Sequence, residues 1–287
     1  RSYSVTGVQT CALPISALGK AYSTYSFSYD QYLDFLHGGV GLLVLSDRAG
    51  GGNLNTTAIS LSYAYKFNLS TRLQASGALN AGYYQRRLVW ENLLFEDMID
   101  PNNGFTLPTS EKPPDNPRVA AIDFSTGIFL SYDDFLYGGI AVDHLTQPKS
   151  GFYADNSTIL PMKITVHGGA IIPLQPGSSG SEEREFSLSP NVLYQQQFNY
   201  RQLNIGLYLT ISPFIAGAWY RHAFDNPDAI IPMLGFHYMN LKAGYSYDYT
   251  VSSLTNAGGG AHELSVSWQF PCIEKRRRIR AIKCPRF

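Results

Sequence analysis

Six histidines, His37, His144, His167, His222, His237 and His262, are the side chains best suited to metal binding or proton transfer in this chain, and their scatter argues against both. No two stand at the short interval that lets two imidazoles meet one ion. His262 and Glu263 are adjacent, so in an extended strand their side chains leave by opposite faces and share neither a metal nor a proton. A serine nucleophile has no better support, because the chain holds no G-x-S-x-G turn to raise a hydroxyl above a sheet. No catalytic, metal-binding or cofactor-binding residue is assigned.

Two other groups of residues invite a chemical reading. Asp248, within Tyr245-Ser246-Tyr247-Asp248-Tyr249-Thr250, falls on the face opposite the tyrosines. It can pair with Lys242 or with a base on a neighbouring strand, for which Arg201, Arg221 and Lys163 are available, and Lys242 with Asp248 then forms part of an inward polar network. At the far end, Cys272 and Cys284 bracket a basic run. An oxidising compartment would let them close a loop of about a dozen residues, stabilising by roughly 3 kcal/mol through lost chain entropy. That disulfide would gather Lys275, Arg276, Arg277, Arg278, Arg280 and Lys283 into a basic knob; a solvated tail is the plainer reading of the same charges.

The elements that carry these residues are strands. Leu203, Ile205, Leu207, Leu209 and Ile211 alternate with Asn204, Gly206, Tyr208 and Thr210, and the rhythm returns at Leu241–Val251 and at Leu264, Val266, Trp268 and Phe270. A period of two gives one face suited to lipid and one suited to an aqueous or packed lumen. Thirteen such segments can be marked, near residues 21–30, 38–47, 55–66, 72–85, 121–131, 135–143, 162–172, 185–195, 201–211, 213–221, 229–238, 241–250 and 262–270. Single-chain bacterial barrels have even strand numbers, so the expectation is an all-β, transmembrane antiparallel barrel of about fourteen strands.

Composition agrees. Charged residues make up 15% and aromatics 14% of the chain, including 20 Tyr and 16 Phe, whereas soluble domains carry about 25% charge. Formal net charge is zero, which leaves no global field for nucleic acid. No window approaches the run of about 18 apolar residues that a spanning helix needs, while a spanning strand needs only about 9 to 11 residues with every second one apolar. A mean hydropathy of -0.13 is therefore no objection.

Connections add a second line of argument, since barrels of this type keep short turns on the periplasmic side and long loops outside. With the last strand ending inward at Phe270, the turns at 68–71, 132–134, 212–213 and 239–240 fall on the periplasmic side, and the segments 48–54, 86–120, 144–161, 222–228 and 251–261 fall outside. Only 173–184 is long on the inner side. The proline-rich and acidic segment 86–120 is loop chemistry. Its Trp90, Phe95 and Phe105, with Phe152 and Tyr153 of the 144–161 segment, are candidate contacts for a partner, or a cover over the barrel mouth. Residues 1–16 (RSYSVTGVQTCALPIS) have neither a signal-peptide pattern nor a strand like the later ones, and resemble read-through of a sequencing adapter. The chain thus divides into a non-native stretch 1–16, a barrel 17–271 and a basic periplasmic tail 272–287.

The carboxy-terminal third, LKAGYSYDYTVSSLTNAGGGAHELSVSWQFPC followed by a basic spacer and KCPRF, resembles the PorP/SprF family of the type IX secretion system of Bacteroidota. Upstream, SYDQYLDFLHGGVGLLVLSDRAGGGNLNTT, FEDMIDPNNGF and HLTQPKSGF resemble the same family in the same order. The resemblance implies an outer-membrane barrel without enzymatic activity or cofactor, preceded in the native protein by an export signal. It further implies work with the secretion machinery, a secreted or surface-anchored partner such as a gliding adhesin, and periplasmic partners within the apparatus. A passive or hydrophobic-solute transport barrel is the competing reading.

Overall fold

A computed structural model describes residues 6–13, 22–133, 135–153, 158–174, 186–224, 226–251 and 260–270. Fourteen long strands follow one another: β1 Thr6–Leu13, β2 Tyr22–Leu33, β3 Gly38–Ala49, β4 Leu54–Asn68, β5 Leu73–Leu88, β6 Arg118–Tyr132, β7 Leu136–Asp143, β8 Lys163–Ala170, β9 Phe186–Gln197, β10 Tyr200–Ile211, β11 Phe214–Ala223, β12 Asn226–Tyr238, β13 Leu241–Thr250 and β14 Ala261–Gln269. Each pairs antiparallel with its sequence neighbours, β8 with β9 among them, and β1 pairs with both β2 and β14. The ring is therefore closed, and no strand among the fourteen keeps an unpaired edge, which is the condition for placing a sheet in hydrocarbon. Ile172–Pro173 continues the line of β8 against β9.

Thirteen of these strands coincide with the segments marked from alternation. The fourteenth, β1, lies in the stretch where no strand was expected. Its sequence, TGVQTCAL, lacks the clear alternation of the later strands. Between β2 and β14 it meets a row of backbone donors and acceptors on each side, and satisfying backbone groups is a stronger demand in such a wall than side-chain pattern.

Side-chain exposure runs opposite to that of a soluble domain. Leu61, Leu79, Ile122 and Leu234 are 63%, 66%, 63% and 68% exposed, while among the described residues the buried apolar ones, glycines apart, are Ala75, Ala229 and the loop prolines Pro114 and Pro148. Many outward positions on the strand centres are aliphatic, Leu43, Leu61, Leu79, Ile205 and Leu207 among them. Aromatics gather toward both ends of the wall: Tyr65 stacks on Phe67 and Phe214 meets Phe236 at one end, and Tyr247 meets His262 at the other. This apolar band between aromatic girdles is the surface a bilayer selects.

Inward positions are small or polar, and two inward aromatics of β10 and β11 each have glycine as their cross-strand neighbour. Trp219 lies over Gly206 and Tyr208 over Gly217, and a methyl group at either glycine would overlap the ring. The two rings then meet edge to face, with Trp219 Nε1 donating to Tyr208 Oη at 2.7 Å.

The two rims differ. On one, the connections include residues 34–37, 69–72, 212–213 and 239–240; on the other, beside the short 50–53 and 198–199, are the long segments 89–117 and 144–162. The rim with the long segments is the outer one by the rule for such barrels. The 222–228 segment, expected as a loop, is mostly strand: β11 runs to Ala223 and β12 resumes at Asn226. The 251–261 and 173–184 connections lie largely outside the described residues.

Candidate functional site: the outer mouth and its lid

β7 ends at Asp143, and the chain turns at once, with His144 at φ 60 and Gln147 at φ 43. The turn is held by Asp123, an inward residue of β6 that is only 8% exposed. One carboxylate oxygen meets His144 Nδ1 at 2.6 Å, and the other accepts from the Thr146 hydroxyl at 2.8 Å. The segment then folds back on itself through a Lys149–Ile159 bridge, with Ser150 N–H donating to the Thr158 carbonyl at 2.9 Å.

Inward side chains of β5 and β9 bind this fold as a lid. Tyr84 donates to the Lys149 carbonyl at 3.1 Å and Arg86 to the Ser150 carbonyl at 3.3 Å, while Gln197 donates to the Pro161 carbonyl at 3.0 Å. The Arg86 guanidinium also lies 5.6 Å from the centre of the Phe152 ring, a cation-π distance. Tyr153 reaches away from the lid and donates to the Lys112 carbonyl of the other long loop at 3.4 Å. Phe152 thus packs against the Arg86 anchor of the lid, and Tyr153 joins the two loops.

Beneath the lid lies a cavity of about 670 Å³ whose polar wall includes Asp47, Ser60, Asn80, Asp143 and Lys163. Lys163 meets Asp143 there at 3.1 Å, and Thr24 donates to Asp47 at 2.6 Å. Asp248 finds its cation in Arg221, 2.7 Å away across β12, where Ala229 is small enough to let the guanidinium pass. Lys242 faces the lumen on the same strand but six residues away, about 20 Å along the strand axis, too far to join that pair. Arg201, another of the suggested bases, lies over the Phe224 ring at 5.7 Å on the outer wall. His262 and Glu263 do part company: His262 meets Tyr245 Oη at 2.6 Å outside, and Glu263 accepts from Ser246 inside.

The segment 89–117 is a small folded unit. Val89 N–H donates to the Asn53 carbonyl at 2.8 Å, tying it to the β3–β4 turn, and Trp90 packs on Phe95 at 4.9 Å. Ile99–Asp100 pairs with Gly104–Phe105 as a hairpin, whose turn is closed by Asp100 accepting from the N–H groups of Asn102 and Asn103. Asp97 accepts from the Ser110 N–H at 2.6 Å, the Ser110 hydroxyl at 2.8 Å and the Thr109 hydroxyl at 3.0 Å. These bonds, the Ser110 N–H foremost, hold its carboxyl below the ordinary carboxylate range. Phe105 stands 53% exposed. Of the five loop aromatics singled out, Trp90 and Phe95 brace one loop, Phe152 and Tyr153 belong to the lid, and Phe105 faces solvent.

Tyr84, Arg86, Asp123 and His144 were not foreseen as a group. Their only trace in the chain is that four polar side chains of unequal spacing sit where strands meet loops. The Cys272–Cys284 pair and Lys275, Arg276, Arg277, Arg278, Arg280 and Lys283 lie outside the described residues. Among the described residues, no cluster of three His, Cys, Asp or Glu is placed to hold a metal.

A closed antiparallel ring with an apolar exterior, aromatic girdles and a folded outer mouth is an outer-membrane β-barrel. Solved structures agree on the fold: a monoaromatic hydrocarbon channel, the TodX deltaS2S3 mutant, matches at TM-score 0.51 and 10% identity, covering 92% of this chain and 88% of that one. The Pseudomonas putida toluene transporter TodX is also similar, at TM-score 0.46 and 10% identity, covering 93% of this chain and 89% of that one. BamA from Haemophilus ducreyi matches at 0.42 and 11%, covering 88% of this chain, which spans 63% of the BamA chain. No curated protein matches. The family model described as type IX secretion system membrane protein PorP/SprF matches residues 13–268, and the chain belongs to that family. These relatives are secretion or channel proteins rather than enzymes.

Proposed function

We propose that this barrel is a closed outer-membrane docking component of the type IX secretion system, which holds a secreted or surface-attached adhesin-type protein through its external loops. Family membership supports the secretion role. The observation that carries the docking reading is the lid: Tyr84, Arg86 and Asp123 spend inward polar side chains on tethering residues 144–153 instead of lining an open path. On the periplasmic side, the basic residues Lys275, Arg276, Arg277, Arg278 and Arg280, gathered by a Cys272–Cys284 disulfide, are the docking element for the secretion machinery.

Deletion of the gene in its native host, followed by proteomics of washed cells and medium, tests the role. Loss of one surface protein from cells, with its retention in the periplasm or release to the medium, is the expected result; an unchanged surface proteome overturns it. The competing reading, a hydrophobic-solute transport barrel, has the 670 Å³ cavity in its favour. Steady open-pore current from purified protein in planar bilayers would support it, and a silent barrel supports docking.

A further inference from the structure

Within the docking reading, one loop has a chemical character that selects its partner. Residues 89–117 carry Glu91, Glu96, Asp97, Asp100, Glu111 and Asp115 against the single base Lys112. All of these acids but Asp100 are exposed. Asp97 is in addition held in its ionised form by Ser110 and Thr109. Inside this acidic segment, Leu94, Ile99, Phe105 and Leu107 are 64%, 47%, 53% and 43% exposed. Ile99 and Phe105 are direct partners in the hairpin register, so their side chains stand together on one face of it.

Large apolar side chains held on a braced hairpin outside the membrane belong to neither the lipid surface nor a core, and mark a contact surface. The charge around them decides the contact. Anionic headgroups and nucleic acid would be repelled by the surplus of carboxylates; the bases that could meet headgroups, Arg87 and Arg118, lie at the foot of the loop on β5 and β6 as cross-strand neighbours. We infer that residues 89–117 form the docking surface for a cationic, apolar polypeptide segment of the exported partner, with Ile99 and Phe105 as the apolar anchor and the carboxylates as its rim. The rim steers the partner and the anchor retains it.

This inference rests on the docking reading and is tested on the full chain in nanodiscs of zwitterionic lipid. The probes are two labelled synthetic peptides, one alternating Lys and Leu and one alternating Glu and Leu, with empty nanodiscs as background. The Lys-Leu peptide is expected to bind, to weaken as salt rises, and to bind at least tenfold more weakly to two variants. One is Ile99→Ser with Phe105→Ser; the other is Glu91→Gln, Glu96→Gln, Glu111→Gln and Asp115→Asn. Both variants should retain the heat-modifiable mobility of a folded barrel. Equal binding of the two peptides, or wild-type binding by both variants, overturns the inference. If gene deletion depletes a surface protein while the loop variants bind as wild type, the inference fails and the docking reading stands; if deletion changes nothing, the docking reading itself fails.

Discussion

Arg86 is the residue on which the attachment of the lid most directly depends. It supplies both a hydrogen bond to the Ser150 carbonyl and a cation under Phe152. Arg86→Ala removes both, and Asp123→Asn replaces the anion that faces His144 and Thr146. The double variant should show frequent openings in planar-bilayer recordings where the parent is silent; an equally silent variant would mean that the lid is not the seal. On the wall, Leu207 points to lipid and Asn204 to the lumen, where it is 7% exposed. Leu207→Arg should cost about 2 to 4 kcal/mol of folding free energy near the bilayer midplane, and Asn204→Ser much less. Urea titration of folding into vesicles separates them, and comparable losses would contradict the face assignment. The lumen-facing glycines offer a third test: Gly206→Val drives a side chain into the Trp219 ring and should destabilise by about 1 to 3 kcal/mol as overpacking does, seen as a lower temperature of heat-modifiable migration.

In the 89–117 loop, Asp97 ties the 96–98 turn to Thr109 and Ser110. Because the Asp97 carboxyl is held down in the folded loop by Ser110 and Thr109, its contribution is fully present above the pKa of the unfolded segment. It is lost only as pH falls through the lowered folded value, below the ordinary carboxylate range. Protection of the Ser110 amide, its exchange relative to an unstructured amide at the same pH, should therefore hold across the neutral and mildly acid range and fall only in stronger acid. Asp97→Asn should show reduced protection at every pH, and a variant indistinguishable from the parent would show that the loop is held by other contacts. The carboxy-terminal tail makes the complementary prediction: mass spectrometry of non-reduced peptides should show Cys272 joined to Cys284, and recovery of both as alkylated thiols from oxidised membranes would remove the basic knob.

For the whole molecule, the closed ring accounts for the composition. A chain with zero net charge and its largest apolar residues exposed stays dispersed only if lipid or detergent covers the wall. Purified protein should migrate as a folded barrel without boiling and need surfactant throughout; a folded, detergent-free monomer would exclude the membrane assignment. The rest of the wall was legible from residue order because a strand facing lipid on one side and water on the other must alternate, and residues such as Leu203–Ile211 do so without exception. β1 was not legible, because what holds TGVQTCAL in place is two rows of backbone partners on β2 and β14.

The same division runs through the candidate site. Local pattern sets which face each strand residue takes, where long connections interrupt the strands, and that Pro- and Asp-rich segments lie outside the membrane. Those properties follow from a period of two and from the few residues on either side. Partner choice does not: Asp248 had four plausible bases, and the register of the consecutive strands β11, β12 and β13, which sets Arg221 opposite the small Ala229 and Ala229 opposite Thr250, selects Arg221. Likewise His144 and Asp123, 21 residues apart, meet because register and curvature carry β6 beside the β7 turn. Alternation is a property of neighbours along the chain, whereas a lid, a cavity and an ion pair are set by the register of strands across the sheet.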